Sequence, residues 1–482
     1  MSGLTSIYPP FLASAAFPGR MAVQARLHGF TAPPPGRCRV LELGCGTGWS
    51  LLAFGSVLPG SEFHGIDLSA PAIAQGQELV HRLGLSNVHL RHGDVMEIGE
   101  ADGQFDFIFA HGLLSWVPEP ARRKLFEICR DRLASNGVAY LSYNAYPGSH
   151  MREMLSGMLQ FHTRSFTSDT DRMMQAYGLM RALVEPPVPD APYQQYLLKL
   201  NERMSDRHPE LILFDELAEV NHPYYFHEVV ALAAAHGLEF LSEADFTDFS
   251  ATLPQGSQAI LAGIGDRIAR EQYLDFFIGR AFRMTLLCRT GQQRPLSGPA
   301  EALQGLSISG PMEAVTVAAG GTPKWTGAGG AAIATGLPAA QAAFARLGAS
   351  WPGVIPAGEL LAHASSPEEA GVLATILYRC VRSGLLRAHV EEPPVSREAG
   401  VRPRASALAR AQIGERFVPN LSCEAIRLSN EGHERLLALL DGSRTVPELA
   451  AALNTSEAEL AATLRTFVNL ELIQESETAH VR

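Results

Sequence analysis

Two hydrophobic rhythms alternate along this chain. Over residues 38–150 short apolar runs, rich in β-branched or aromatic side chains, alternate with longer amphipathic stretches. CRVLEL (38–43), EFHGIDLS, NVHLRHGDV, FDFIFAHG and VAYLSYNAYPG read as five strands. WSLLAFGSVL, PAIAQGQELVHRLGL and Pro120–Leu133 read as helices between them, the second opened by Ser69 and Pro71, the third stopped at Asn136-Gly137. Strands separated by helices predict a parallel sheet with helices on both faces.

From 151 to 220 the period becomes helical throughout, with Met151, Met154, Leu155, Met158 and Leu159 on one stripe. The prolines of 186–192 read as a turn inside this helical insertion, and its apolar stripe as a face for a homodimer. The α/β rhythm then returns over 221–290. YYFHEVVALAAAHG reads as a helix ended at Gly237, LEFLSEA as a strand, 257–282 as helical, and RMTLLCRT as a strand. Those two strands complete a seven-stranded sheet. Residues 291–325 and 391–416, rich in Gly, Pro, Ala or Arg, read as linkers. The units they flank, 326–390 and 417–482, each end in an amphipathic helix, a turn and a short strand, which predicts a winged-helix-like α+β unit present twice.

The composition narrows the function. In 482 residues, 46% hydrophobic and 18% charged, there is enough apolar material for several cores. The net charge of −11 argues against nucleic acid as partner, and over 391–482 acids outnumber arginines, which favours protein contact over DNA reading. The six cysteines form no CxxC pair and no HExxH occurs, so no metal site is expected. The N-terminal MSGLTSIYPPFLASAAFPGR has no signal pattern and no run is long enough to span a membrane, which predicts a cytoplasmic protein.

Chemistry concentrates in VLELGCGTGWS at 40–50. Gly44, Gly46 and Gly48 after the first strand allow a tight bend that a ligand can approach. Trp49 stands where a dinucleotide fingerprint needs a small residue, and the Glu42 carboxylate would repel a pyrophosphate. It suits instead a cationic ligand such as S-adenosylmethionine, which has an ammonium, a sulfonium and no phosphate. Asp67, ending the second strand, is placed for the ribose hydroxyls with Leu68 beside it. Asp94, between Gly93 and Val95 after the third strand, is placed for the adenine amine. Beyond the fourth and fifth strands, where open α/β sheets bind substrates, lie His111, Trp116, Asn144 and Tyr146. His111 is a candidate contact to cofactor or acceptor, Trp116 a candidate pocket wall or adenine contact, and Asn144 and Tyr146 with His111 are catalytic candidates. Tyr8 in IYPP is a lid candidate within an N-terminal capping segment, 1–37.

On these residues the region 38–143 resembles a class I S-adenosylmethionine-dependent methyltransferase. NHPYYFHEVVALAAAHGLEFLSEADF, RAFRMTLLCRT, AHGLLSWVPEP and SYNAYPG are similar to segments of bacterial methyltransferases with a methyltransferase regulatory domain, among them the outer-membrane-protein lysine methyltransferases. The resemblance implies a Rossmann-like methyltransferase sheet over 38–150 with a helical insertion, a regulatory region at 221–290, and N-methylation of a protein or peptide, at lysine. AFPGR at 16–20 departs from the His-Pro-Asp-Arg-like run common in relatives, so no role is carried over there. Two other functions fit the same motifs: a methyltransferase for a small molecule such as a natural-product intermediate, and a catalytically silent cofactor-binding scaffold.

Overall fold

The computed structural model describes residues 7–185, 192–205, 207–247, 249–316, 320–327 and 330–474. The proline turn expected at 186–192 lies, up to residue 191, outside the described residues, as does the chain beyond 474.

Seven strands form the central sheet: β1 (Arg39–Leu43), β2 (Glu62–Asp67), β3 (Val88–His92), β4 (Phe105–Ala110), β5 (Leu133–Asn144), β6 (Leu238–Glu243) and β7 (Phe282–Arg289), in the order β3-β2-β1-β4-β5-β7-β6. β1 to β5 pair in parallel, and β7 runs antiparallel between β5 and β6. The helices are α1 (Pro18–Leu27), α2 (Trp49–Val57), α3 (Ala70–Leu83), α4 (Glu119–Arg132), α5 (Ser149–Thr163), α6 (Asp169–Val184), α7 (Pro192–Ser205), α8 (Leu211–Phe214), α9 (Phe226–Ala235), α10 (Gln255–Gly263) and α11 (Arg267–Ile278).

Strand alternation divides the core into two layers. Val40, Phe63, Phe109, Tyr140 and Leu286 face one side with Phe54 of α2. Leu41, Leu43, Ile66, Ile108, Leu141 and Leu287 face the other with Leu125 and Phe126 of α4. Ser69 caps α3 by accepting from the Ala72 amide. Helices α5 to α8 interrupt the sheet between β5 and α9 and carry an apolar cluster of their own, including Leu155, Leu159, Met180 and Leu213.

Three expectations need correction. No Asn-Gly stop ends α4: β5 begins at Leu133, pairs with Phe105, and carries Asn136-Gly137 inside the strand. Residues 291–325 are not simply a linker. Ser307–Ser309 is the middle strand of a three-stranded antiparallel sheet between Ile355–Pro356 and Arg387–His389. Leu303, Leu306, Ile308 and Met312 are buried with Phe344, Leu373 and Leu377, and with Val23 and Leu27 of α1. The Gly/Pro content hid four apolar residues spaced to fill one core. Likewise 391–416 is built into the second C-terminal unit, where Ser406 caps Ala407–Ala411, and Ala405 and Ala409 pack with Leu437, Leu449, Leu464 and Phe467. Among the described residues, no helix is long and apolar enough to cross a membrane.

Candidate functional site

The bend after β1 is built by three left-handed glycines, with φ of +74° at Gly44, +55° at Gly46 and +72° at Gly48. The amides of Gly44 and Cys45 donate to the Ile66 carbonyl, which folds the bend back onto β2. A Cβ at Gly46 would meet nothing within 4 Å, so this position opens onto free space. Gly76 of α3 serves the opposite need, since a Cβ there would come within 2.3 Å of the Thr47 carbonyl. The helix thus lies directly against the bend.

The acids are placed around it. Asp67 Oδ2 accepts from the Gly46 amide at 2.7 Å and Oδ1 from the Ser69 amide at 2.8 Å, which fixes the carboxylate at the bend. Glu42 is buried, and its Oε2 has no hydrogen-bond partner. Burial, reinforced by Asp67, raises its pKa well above the carboxylate range. Asp94 accepts from the Met96 amide and caps a short turn that begins at Val95. The Gly93 amide donates to the Asp67 carbonyl, drawing the end of β3 towards β2. Leu68 is 64% exposed beside Asp67.

The segment before α1 lies across these ends. Ala13 N donates to Ser50 Oγ at 3.0 Å, and Phe11 stacks on His111 with ring centroids 4.7 Å apart. His111 Nδ1 is 2.7 Å from the Tyr140 hydroxyl. Burial pushes its imidazole down to about 4, so the ring is neutral near pH 7. Tyr8 meets Phe214 edge-on at 5.1 Å; although the ring is 43% exposed, its partial burial, with Asp215 adding to it, pushes the phenol up.

Trp116 is half-buried, with the Arg152 guanidinium 5.6 Å from its ring centroid. Asn144 is buried; its amide donates to Asn221 Oδ1 at 2.8 Å and its backbone N–H to Ser115 Oγ. Tyr146 turns to other neighbours: its hydroxyl donates to Glu153 and its ring stacks on His150.

Sequence reasoning missed Phe11, Ser142 and an ion cluster over the loop after β4. Ser142 Oγ accepts from the Gly112 amide at 2.7 Å. In the cluster, Arg152 reaches Glu216 at 3.0 Å and Asp215 at 3.2 Å, and Arg207 pairs with Asp215. Burial raises the Glu216 pKa against these arginines. The adjacent acids of FDE at 214–216 were the only sequence signal.

A mostly parallel sheet with one antiparallel strand, a glycine bend after β1 and acids ending β1, β2 and β3 define a class I methyltransferase architecture. A buried carboxylate oxygen lacking a partner, beside open space at Gly46, fits a cationic donor without phosphate. Three family models match: methyltransferase domain at 40–137, predicted methyltransferase regulatory domain at 208–289, and PKMT, C-terminal winged helix domain at 402–468. The chain is 31% identical over 227 residues to Uncharacterized protein RP028 of Rickettsia prowazekii, covering 47% of this chain and 91% of that protein. It is 34% identical over 273 residues to Uncharacterized protein RP789 of the same organism, covering 56% of this chain and 49% of the relative, so it spans about half that relative's length. In fold it is similar to PKMT2 from Rickettsia typhi, solved in complex with AdoHcy, with a TM-score of 0.84 at 23% identity over 97% of this chain and 99% of that one. The chain belongs to the S-adenosylmethionine-dependent methyltransferases that carry a methyltransferase regulatory domain.

Proposed function

We propose that this chain transfers a methyl group from S-adenosylmethionine to a nitrogen of a polypeptide, a lysine amine by family resemblance. The observation that carries the donor is the unpartnered, buried Glu42 carboxyl beside the open Gly46 bend, with Asp67 locked at its edge. Asp67, Leu68, Gly93, Asp94 and Val95 line up along the ends of β2 and β3 for the ribose and adenine. Tyr8, Phe11 and Trp116 close the other side. The likeness over nearly the whole chain to a protein named PKMT2 supports a polypeptide acceptor.

The bound donor supplies an electrophilic methyl carbon and a neutral thioether leaving group. What remains for the chain is alignment and control of the acceptor's proton. A lysine amine, with an ordinary pKa of about 10.4, must lose a proton before attack. His111, held at about 4, is too weak a base to take it, and Asn144 cannot ionise. We therefore assign both to orienting the acceptor, and deprotonation to desolvation of the ammonium as it enters. The six cysteines are all buried free thiols, which suits a reducing compartment and supports a cytoplasmic setting. The exposed Met151, Met154 and Phe161 of α5 and Met174 of α6 support a homodimer through the insertion.

The test is transfer of a radiolabelled methyl group to a cell lysate, followed by separation of macromolecules from small molecules. Label in protein that hydrolyses to methyl-lysine is expected. Label in the small-molecule fraction establishes the natural-product alternative, and no label in either establishes the silent scaffold.

A further inference from the structure

A strip of aromatic rings begins where β5 ends and runs away from the cofactor bend. The half-buried Tyr146 ring stacks on His150 with centroids 4.1 Å apart and meets Tyr225 at 5.1 Å. Tyr225 meets Phe276 edge-on at 6.1 Å, and Phe276 meets Tyr273 at 5.8 Å. Phe276 is 47% and Tyr273 45% exposed. The turn after β5, the start of α5, the start of α9 and the outer face of α11 all contribute rings, so the strip is assembled by the fold rather than by one helix. A strip of rings that is half-buried at Tyr146 and Tyr225 and exposed at His150, Tyr273 and Phe276 marks a contact surface.

Carboxylates are set among the rings. Glu153 accepts the Tyr146 hydroxyl at 2.9 Å and lies 3.5 Å from His150 Nδ1. Glu228, exposed, accepts from the Tyr225 amide at 2.8 Å. Burial first, then the Glu153 hydrogen bond and the nearby Glu228 carboxylate, push the Tyr146 phenol up to about 12. Rings alone would suit an apolar helix, and acids alone any cation. Together they suit an alkylammonium on a long apolar stem, through cation–π attraction, ion pairing and packing of the methylenes. The same acids repel a phosphate backbone.

We propose that this strip docks the polypeptide acceptor by taking a lysine side chain, methylated or not, from the extended segment beside the residue being modified. The inference rests on the protein-acceptor reading above. Tyr146 lies two residues beyond Asn144, so a peptide entering at the end of β5 reaches the rings within a few residues. A lysine-rich segment would then be held while successive lysines are presented.

The probe is a fluorescent peptide of alternating lysine and threonine, titrated by anisotropy against the full chain with S-adenosylhomocysteine present. Tyr225→Ala and Phe276→Ala are expected to weaken binding about three- to tenfold, and Tyr225→Phe to restore it. Glu228→Gln keeps an acceptor for the Tyr225 amide and removes one charge, so it should weaken binding and flatten the salt dependence. Replacing the peptide's lysines with glutamine should abolish binding. Unchanged affinity in the ring variants, or equal binding of the glutamine peptide, overturns the proposal. So does a sedimenting dimer that Phe276→Ala dissociates, because the rings would then contact a second copy. Methyl label in proteins with ring-independent peptide binding overturns the strip and leaves the acceptor reading intact. Ring-dependent binding without label in proteins does the reverse.

Discussion

Glu42 and Asp67 divide the work of the bend at the level of single residues. Asp67 spends one lone pair of each oxygen on a backbone amide and keeps others for hydroxyl donors. Glu42 is buried beside it with a free oxygen, and burial with Asp67 nearby raises its pKa, which favours the protonated form where no cation is bound. Binding a cationic donor favours the ionised form and expels that proton. S-adenosylmethionine affinity should therefore rise with pH through the raised Glu42 pKa. Glu42→Gln should weaken binding about tenfold, or about 1.4 kcal/mol, and flatten that rise. Calorimetry in buffers of different ionisation heat measures the released proton; a parent chain that releases none contradicts the assignment. The glycines and both acids were legible in the sequence because their spacing follows the strand ends. The Phe11–His111 stack and the Arg152–Glu216 pair were not, since their partners are far away in the chain.

Among the elements, β7 illustrates how the regulatory region is tied to the sheet. The wholly buried Arg283 donates to Asp275 through Nε and Nη2, to Glu243 at 2.8 Å and to Glu271 at 3.2 Å, and lies over the Phe226 ring. Arg283→Met would leave the buried Asp275 with Arg280 as its ion-pair partner and the partly buried Glu243 with only the Met284 amide and Thr285 hydroxyl, and should cost about 3 kcal/mol, read from the urea midpoint. An unchanged midpoint would show that the network is not needed for stability. Gly76→Ala should weaken cofactor binding from outside the cleft, because its Cβ collides with the Thr47 carbonyl. Equal donor affinity in that variant would show that α3 can shift without moving the bend. The periodic strands and helices of the first half were readable from pattern. Three-residue strands such as Ser307–Ser309 were not: they are too short for a period, and only burial against Leu373 and Leu377 reveals them.

On the scale of the whole molecule, α1 and both C-terminal units are fastened together. Glu424 pairs with Arg20 of α1 and with Arg387, which also pairs with Glu471. Three half-buried histidines sit along these junctions and under Phe11. Burial, helped by nearby arginines, pushes His28 and His389 down to about 3, and burial pushes His111 to about 4. Their folded pKa values lie below the unfolded value of 6.5, so each stabilises the fold when neutral. That stability is complete above pH 6.5 and is lost as pH falls towards 3 or 4. Urea midpoints should drop between pH 7 and about pH 5, and His28→Gln with His389→Gln should shrink the drop. Identical pH slopes in parent and variant would contradict this.

The most direct measurement is calorimetric titration of S-adenosylmethionine into the parent chain, Asp67→Ala and Gly46→Arg. The parent should bind at one site, and each variant should lose at least about tenfold in affinity, one by removing the ribose acceptor and the other by filling the open side of the bend. Equal affinity in all three, or no binding by the parent, would contradict the assignment of this bend to the methyl donor.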